Sequence, residues 1–159
     1  MIEPVENPTP EELATWHRTF APIAFNQTWV LLDTETPTRD EEEAMLASAF
    51  AQRYHWYQVG STRHRAIADW QVSRVAVVLG YPDLARRFGE LSLALCLEHD
   101  LDAFVTGFAH EAIARAAAEV DDVDTFTEHL ELARVQLAEV EDLEDHDVLE
   151  ADLAEMSVP

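Results

Sequence analysis

The chain contains no lysine, and it has little glycine and cysteine. All ten of its basic residues are arginine, and there are four glycines and one cysteine among 159 residues. Folds built from many tight turns use more glycine, so the composition favours long helices. A single cysteine forms no internal disulfide, and nothing therefore points to an oxidising compartment. Cys96 stands in an apolar run, which predicts a buried side chain and not a nucleophile.

Long apolar runs are also missing. No stretch approaches the roughly 18 uninterrupted apolar residues of a membrane-spanning helix. The first six residues are acidic and contain Pro4, unlike a secretory signal peptide. The expected location is therefore the cytoplasm, with no membrane partner.

The charge is strongly one-sided, with 32 acidic residues against 10 basic ones and a net charge of −22. Such a field repels nucleic-acid phosphates and anionic lipids, so neither is an expected partner. Three explanations stay open. A high-GC bacterial genome favours arginine over lysine, adaptation to high salt favours surface carboxylates, and a basic protein partner would be steered in by the field.

Capping signals predict an all-α fold of about seven antiparallel helices. Thr9 precedes a first-turn proline and two acids, and Thr38 with Glu41 forms a capping box. Pro22 is expected to kink or split the first helix. Gly60 is expected to end the second helix in a left-handed conformation.

The chain is long enough for one domain with a sizeable core, and too short to argue for two. We expect residues 1–9 to form a loose arm, residues 41–140 a repeated core, and residues 141–159 a capping helix and tail. Residues 74–92 can be laid over residues 115–133 at an offset of 41, which indicates a repeated helical hairpin.

The joint at residues 77–85, where Leu79-Gly80 ends one helix and Ala85 lies early in the next, resembles tetratricopeptide-like (TPR-like) repeats. The resemblance implies a short right-handed solenoid of stacked hairpins and a groove that binds peptides or proteins. The chain departs from the family in its period, which is about 34 residues there, and in lacking the Trp-Leu-Gly opening. Residues 25–32, 53–60 and 69–74 also resemble a bacterial protein group without an assigned activity, which adds no function.

One group of polar and aromatic residues on helices 2, 3 and 5 is the candidate ligand-binding site. Its members are Arg53, His55, Trp56, Asp69, Trp70, Arg74, Glu111 and Arg115. Arginine binds carboxylate or phosphate through paired hydrogen bonds, and tryptophan offers a stacking face, so the group suits a small anionic or aromatic ligand. Alternatively, the arginines pair with Asp69 and Glu111 across helix seams.

No reaction, cofactor or metal site is indicated. His110-Glu111 begins like a zinc-protease motif, but Ala114 stands where the second histidine is needed. There is no glycine-rich phosphate loop. The leading interpretation is a non-enzymatic module that binds a peptide, a protein or a second copy of itself, since large aromatic residues favour interfaces. The supporting tryptophans are Trp16, Trp29, Trp56 and Trp70. The alternative is a small anionic-ligand binding or enzymatic domain that uses the group above.

Overall fold

The structure is a computed structural model that describes residues 7–157. Within that range there are seven helices and no strand, which confirms the all-α prediction. The helices are α1 (Pro10–Leu32), α2 (Arg39–Val59), α3 (Thr62–Val78), α4 (Pro82–Glu98), α5 (Ala103–Ala118), α6 (Val123–Leu137) and α7 (Leu143–Ala154). None of them combines the length and apolar content that crossing a bilayer requires. Most of the expected loose arm, residues 1–6, lies outside the described residues, as do residues 158–159.

Side chains cap the first turns of most helices. Thr9 accepts a hydrogen bond from the Glu12 backbone while the Glu12 carboxylate accepts one from Thr9, and Thr38 and Glu41 make the same exchange. Both predicted starts are confirmed. The remaining side-chain caps are Ser61, Asp102, Asp122 and Asp142. Each satisfies backbone N–H groups that have no partner inside the helix.

Pro22 does not split the first helix, because α1 is one helix from Pro10 to Leu32. Proline removes a single N–H donor and already has a helical φ. Contacts with α2 hold α1 on both sides of this position. His17 contacts His55 before it, and the Thr28 hydroxyl lies 2.9 Å from that of Ser48 after it.

Gly60 ends α2 in an extended conformation, with φ −78° and ψ 158°, so the predicted left-handed stop is wrong. Glycine is needed at this position because there is no room for a side chain. A Cβ at this position would lie 2.6 Å from the Trp56 carbonyl oxygen and 2.9 Å from the His64 Cβ. The left-handed glycine is instead Gly80, which follows α3 with φ +74°.

Helices adjacent in sequence pack side by side, and the odd-numbered helices also contact one another in the order α1, α3, α5 and α7. The helix starts follow the 41-residue offset: Thr62 and Ala103 begin α3 and α5, and Pro82 and Val123 begin α4 and α6. The odd-numbered helices thus form a continuous row.

Helix α5 lies at the centre of the packing. Nearly every residue from Val105 to Ala117 is buried, and most are small. At Gly107 an added Cβ would lie 2.6 Å from Leu149 of α7, so the absent side chain lets the two helices approach. A charged residue on this helix is consequently placed inside the core.

Candidate functional site

A buried carboxylate, that of Glu111 on α5, is the polar centre of the site. It has no exposed surface, and three side chains donate hydrogen bonds to it. Trp70 Nε1 lies 3.0 Å from Glu111 Oε2, and Arg74 Nη1 lies 3.2 Å from Oε1. Arg115 Nε also donates to Oε1. These partners are required, because a buried charge without them is strongly destabilising.

Helical spacing brings these four side chains together from two helices. Trp70 and Arg74 are one turn apart on α3, and Glu111 and Arg115 are one turn apart on α5. Residues four apart lie on one helix face, and α3 packs directly against α5. The two arginines are also 41 residues apart, like the starts of their helices.

Helix α7 closes the cluster with Asp152. Its Oδ2 lies 3.9 Å from Arg74 Nη1, and its backbone carbonyl accepts a hydrogen bond of 3.3 Å from Arg115 Nη2. Burial, followed by the positive charge of Arg74, lowers the pKa of Arg115 to about 10. Arg115 therefore stays protonated at neutral pH, and two guanidinium groups face two carboxylates.

A partly enclosed cavity of about 380 Å³ lies beside this cluster. Its walls come from α1, α3, α5 and α7. The lining residues are Phe25, Trp29, Ile67, Trp70, Arg74, Phe104, Val105, Phe108, Val148 and Asp152. All of them are apolar except Arg74 and Asp152, which place a donor and an acceptor at the cavity. Cavities of this size and character are typical of ligand sites.

Half of the ten residues that line this cavity are aromatic, and their rings contact one another. The ring centroids of Trp29 and Trp70 are 5.7 Å apart, those of Trp70 and Phe108 are 5.1 Å apart, and those of Phe108 and Phe104 are 5.0 Å apart. Edge and tilted contacts of this kind are favourable beyond simple burial. The wall is thus held in place before any ligand binds.

A second cavity, of about 190 Å³, lies next to the first because both are lined by Phe25 and Ile67. Its other walls are Trp56 and His64, whose rings stack with centroids 4.2 Å apart. The His64 ring is fixed by Ser61, whose hydroxyl lies 2.9 Å from His64 Nδ1. The two adjoining cavities are together called the groove.

No family model, curated protein or solved structure matches the chain. Function is therefore inferred from the chemistry of the site. Glu111 already accepts three hydrogen bonds, and its arginine partners are balanced by carboxylates. The groove consequently offers shape and apolar surface.

The predicted residues Arg53 and Asp69 form a separate cluster between α2 and α3. Asp69 is fully buried and accepts hydrogen bonds from Arg53 Nε and from the Tyr57 hydroxyl. Burial raises the pKa of Asp69, against the lowering effect of its two donors. Burial, and then hydrogen bonding to Asp69, raises the pKa of Tyr57 to about 12. Here the arginine pairs across a helix seam, as in the alternative interpretation of the sequence.

His55 lies in a third place, between α1 and α2, where its Nδ1 is 2.7 Å from His17 Nδ1. The eight predicted residues thus divide into three groups. Trp70, Arg74, Glu111 and Arg115 are together, and Trp56 lines the adjoining cavity. The division arises because α2 and α5 pack on different faces of α3.

Sequence reasoning missed Asp152 and the contribution of α1 to the groove. Asp152 is one of 32 acidic residues, and nothing local distinguishes it from the others. Phe25 and Trp29 carried a signal, since residues four apart share a helix face. Their wall position could have been found only by knowing that α1 contacts α3.

One group of metal-ligand side chains occurs in the described part of the chain, namely His146, Asp147 and Glu150. Two of its three members are exposed. Exposed carboxylates are crowded throughout this acidic surface, so the group is explained without an ion.

Proposed function

We propose that the chain is a non-enzymatic interaction module whose aromatic groove binds an apolar segment of a partner protein. One observation carries this proposal: each of the four odd-numbered helices contributes a wall to a single groove. A cavity that spans a row of stacked helices suits an extended segment lying across them. TPR-like domains usually bind peptides in this manner, and the sequence resembles them.

The packing order supports a TPR-like solenoid of right-handed helical hairpins. The pairs α1–α2, α3–α4 and α5–α6 are the hairpins, and α7 covers the last of them. Regular hairpins stacked through their first helices give one continuous face. On this proposal the groove lies on that face.

The chemistry of the groove defines the preferred segment. Its two adjoining apolar cavities accept two large apolar side chains. Arg74 and Asp152 at the larger cavity supply a donor and an acceptor for the peptide backbone. Basic residues flanking the apolar ones are favoured, because the net charge of −22 steers them in.

The alternative drawn from the sequence, a small anionic-ligand or enzymatic site, gains no comparable support. An anionic ligand at Arg74 would lie close to the Asp152 carboxylate and would meet an overall negative field. A neutral peptide carbonyl meets neither repulsion.

Blocking the mouth of the groove is expected to abolish peptide binding. Val148 lines the larger cavity and is 55% exposed, so Val148→Trp fills the cavity at little cost to folding. Peptides would be selected from a displayed random library, labelled, and titrated by fluorescence anisotropy. We expect the selected peptides to contain pairs of apolar residues flanked by arginine or lysine. The affinity of the Val148→Trp variant for these peptides should be lower by at least about tenfold, which is about 1.4 kcal/mol.

The matched control is Val135→Trp, because Val135 is 58% exposed on α6 and lies outside the cavity lining. This variant should bind like the wild type. Failure to select any peptide, or equal binding by the Val148 variant, would contradict the proposal.

A further inference from the structure

Helix α1 carries a line of exposed apolar side chains, here called the α1 stripe. Its members are Leu13, Trp16, Phe20, Ile23 and Val30, which are 39%, 47%, 49%, 57% and 63% exposed. Their spacing alternates between three and four residues, with Gln27 completing the pattern before Val30. This is the heptad spacing with which one helix packs along another.

No helix covers the α1 stripe among the described residues, although the Phe20 ring at its edge lies 5.8 Å from that of His55 on α2. Helix α1 contacts only α2 and α3 there, and it uses a different face, on which Ala21, Thr28 and Leu31 are buried. Phe25 and Trp29 project from the side opposite the stripe, into the groove. Large apolar residues that are aligned and exposed in this way mark an interaction surface.

Charge identifies the kind of partner. From Leu13 to Leu32 there is no acidic residue, and Arg18 is the only arginine, although the whole chain has 32 acids. A basic partner would select one of the acidic surfaces instead. A second copy of the chain presents the same uncharged, heptad-spaced stripe. We propose that the α1 stripe is the interface of a homodimer in which the two α1 helices pack antiparallel.

The order of residues fits a two-fold axis between Ala21 and Pro22. That axis places Phe20 opposite Ile23 of the second copy and Leu13 opposite Val30 of the second copy. Identical surfaces related in this way form a closed dimer. Antiparallel packing also opposes the helix dipoles favourably.

A parallel pair is disfavoured by charge. It would bring Glu11 and Glu12 of both copies together, whereas the antiparallel pair separates the two copies of each residue by about 30 Å along the axis, at 1.5 Å per residue. The dimer also extends onto α2, where Tyr54 is 58% exposed and its ring lies 5.5 Å from that of His17.

Sedimentation equilibrium of the full chain tests the proposal. We expect a concentration-dependent dimer that strengthens with added KCl, because salt screens the repulsion between two chains of charge −22. Ile23→Glu places two acids at the centre of the interface and should weaken the dimer by at least about tenfold. The exposed control Val135→Glu, on α6, should leave it unchanged. A monomer at every concentration and salt, or equal dimers in both variants, overturns the proposal.

Cysteine cross-linking tests the register without relying on a destabilising charge. In the antiparallel pair the two copies of Ile23 are three residues apart along the axis, about 4.5 Å, and those of Val30 are about 25 Å apart. Ile23→Cys should cross-link under mild oxidation and Val30→Cys should not. Efficient cross-linking by both variants would indicate a parallel pair. Cross-linking by neither variant would reject the interface. Because the readout is oligomeric state, this test is independent of peptide binding in the groove.

Discussion

Replacing Glu111 by alanine is expected to lower the free energy of unfolding by about 3–5 kcal/mol, the usual cost of removing one partner from a buried ion pair. The change leaves Arg74 and Arg115 facing each other without their shared carboxylate, and Trp70 Nε1 without an acceptor. Urea denaturation followed by circular dichroism measures the loss. Glu111→Gln should cost somewhat less, because its amide oxygen still accepts a hydrogen bond.

The control for this prediction is an ion pair on the surface. Glu131 accepts from Arg134 at 2.7 Å on α6, but its side chain is 64% exposed. Exposed pairs contribute little, so Glu131→Ala should cost less than about 1 kcal/mol. Equal losses in the two variants would show that Glu111 does not hold α3 and α5 together.

A second comparison separates two quantities: the stability that the intact charged cluster contributes, and the stability that is lost when one of its members is removed. Replacing Glu111, Arg74 and Arg115 together by leucine or methionine removes the buried carboxylate and both of its arginine partners at once. Only Asp152, whose side chain is 25% exposed, then stays charged. Much of the stability lost in Glu111→Ala should return. If it does, the charged cluster contributes little to stability. Its position beside the groove then agrees with a role in orienting Trp70 and Arg74 toward the proposed partner segment.

The helix starts could be read from the sequence because capping is a local interaction. Thr9 and Thr38 each exchange hydrogen bonds with a glutamate three residues later, and no distant residue is needed. Pro22 shows the limit of such local rules. Its effect depends on how firmly α1 packs against α2, which is a tertiary property.

The candidate site could be predicted only in part, for a geometric reason. Asp69 and Trp70 are neighbours in sequence, but successive residues of a helix point about 100° apart. Asp69 therefore meets Arg53 of α2, while Trp70 meets Glu111 of α5. Sequence spacing shows which residues share a face. Which face meets which helix depends on the packing order of the helices, and that order cannot be predicted from the spacing of residues in one sequence.

Acidification is expected to destabilise the chain through His110. This residue of α5 is only 6% exposed, and its Nδ1 lies 3.0 Å from His129 Nδ1. Burial, and then the neighbouring His129, lowers the pKa of His110 from 6.5 to about 4. Burial also lowers the pKa of His129, which is near Glu128, Arg86 and Glu90.

Proton linkage gives the direction in which stability changes with pH. Between about pH 6.5 and pH 4 the unfolded chain binds a proton at this histidine and the folded chain does not, so stability falls as pH falls. Urea unfolding at about pH 7 and pH 4.5 should therefore show a markedly smaller loss in His110→Gln than in the wild type. His99→Gln, at an exposed position after α4, should keep the wild-type loss. Carboxylate protonation affects all three proteins alike, so equal losses in the wild type and His110→Gln would assign the acid sensitivity to other groups.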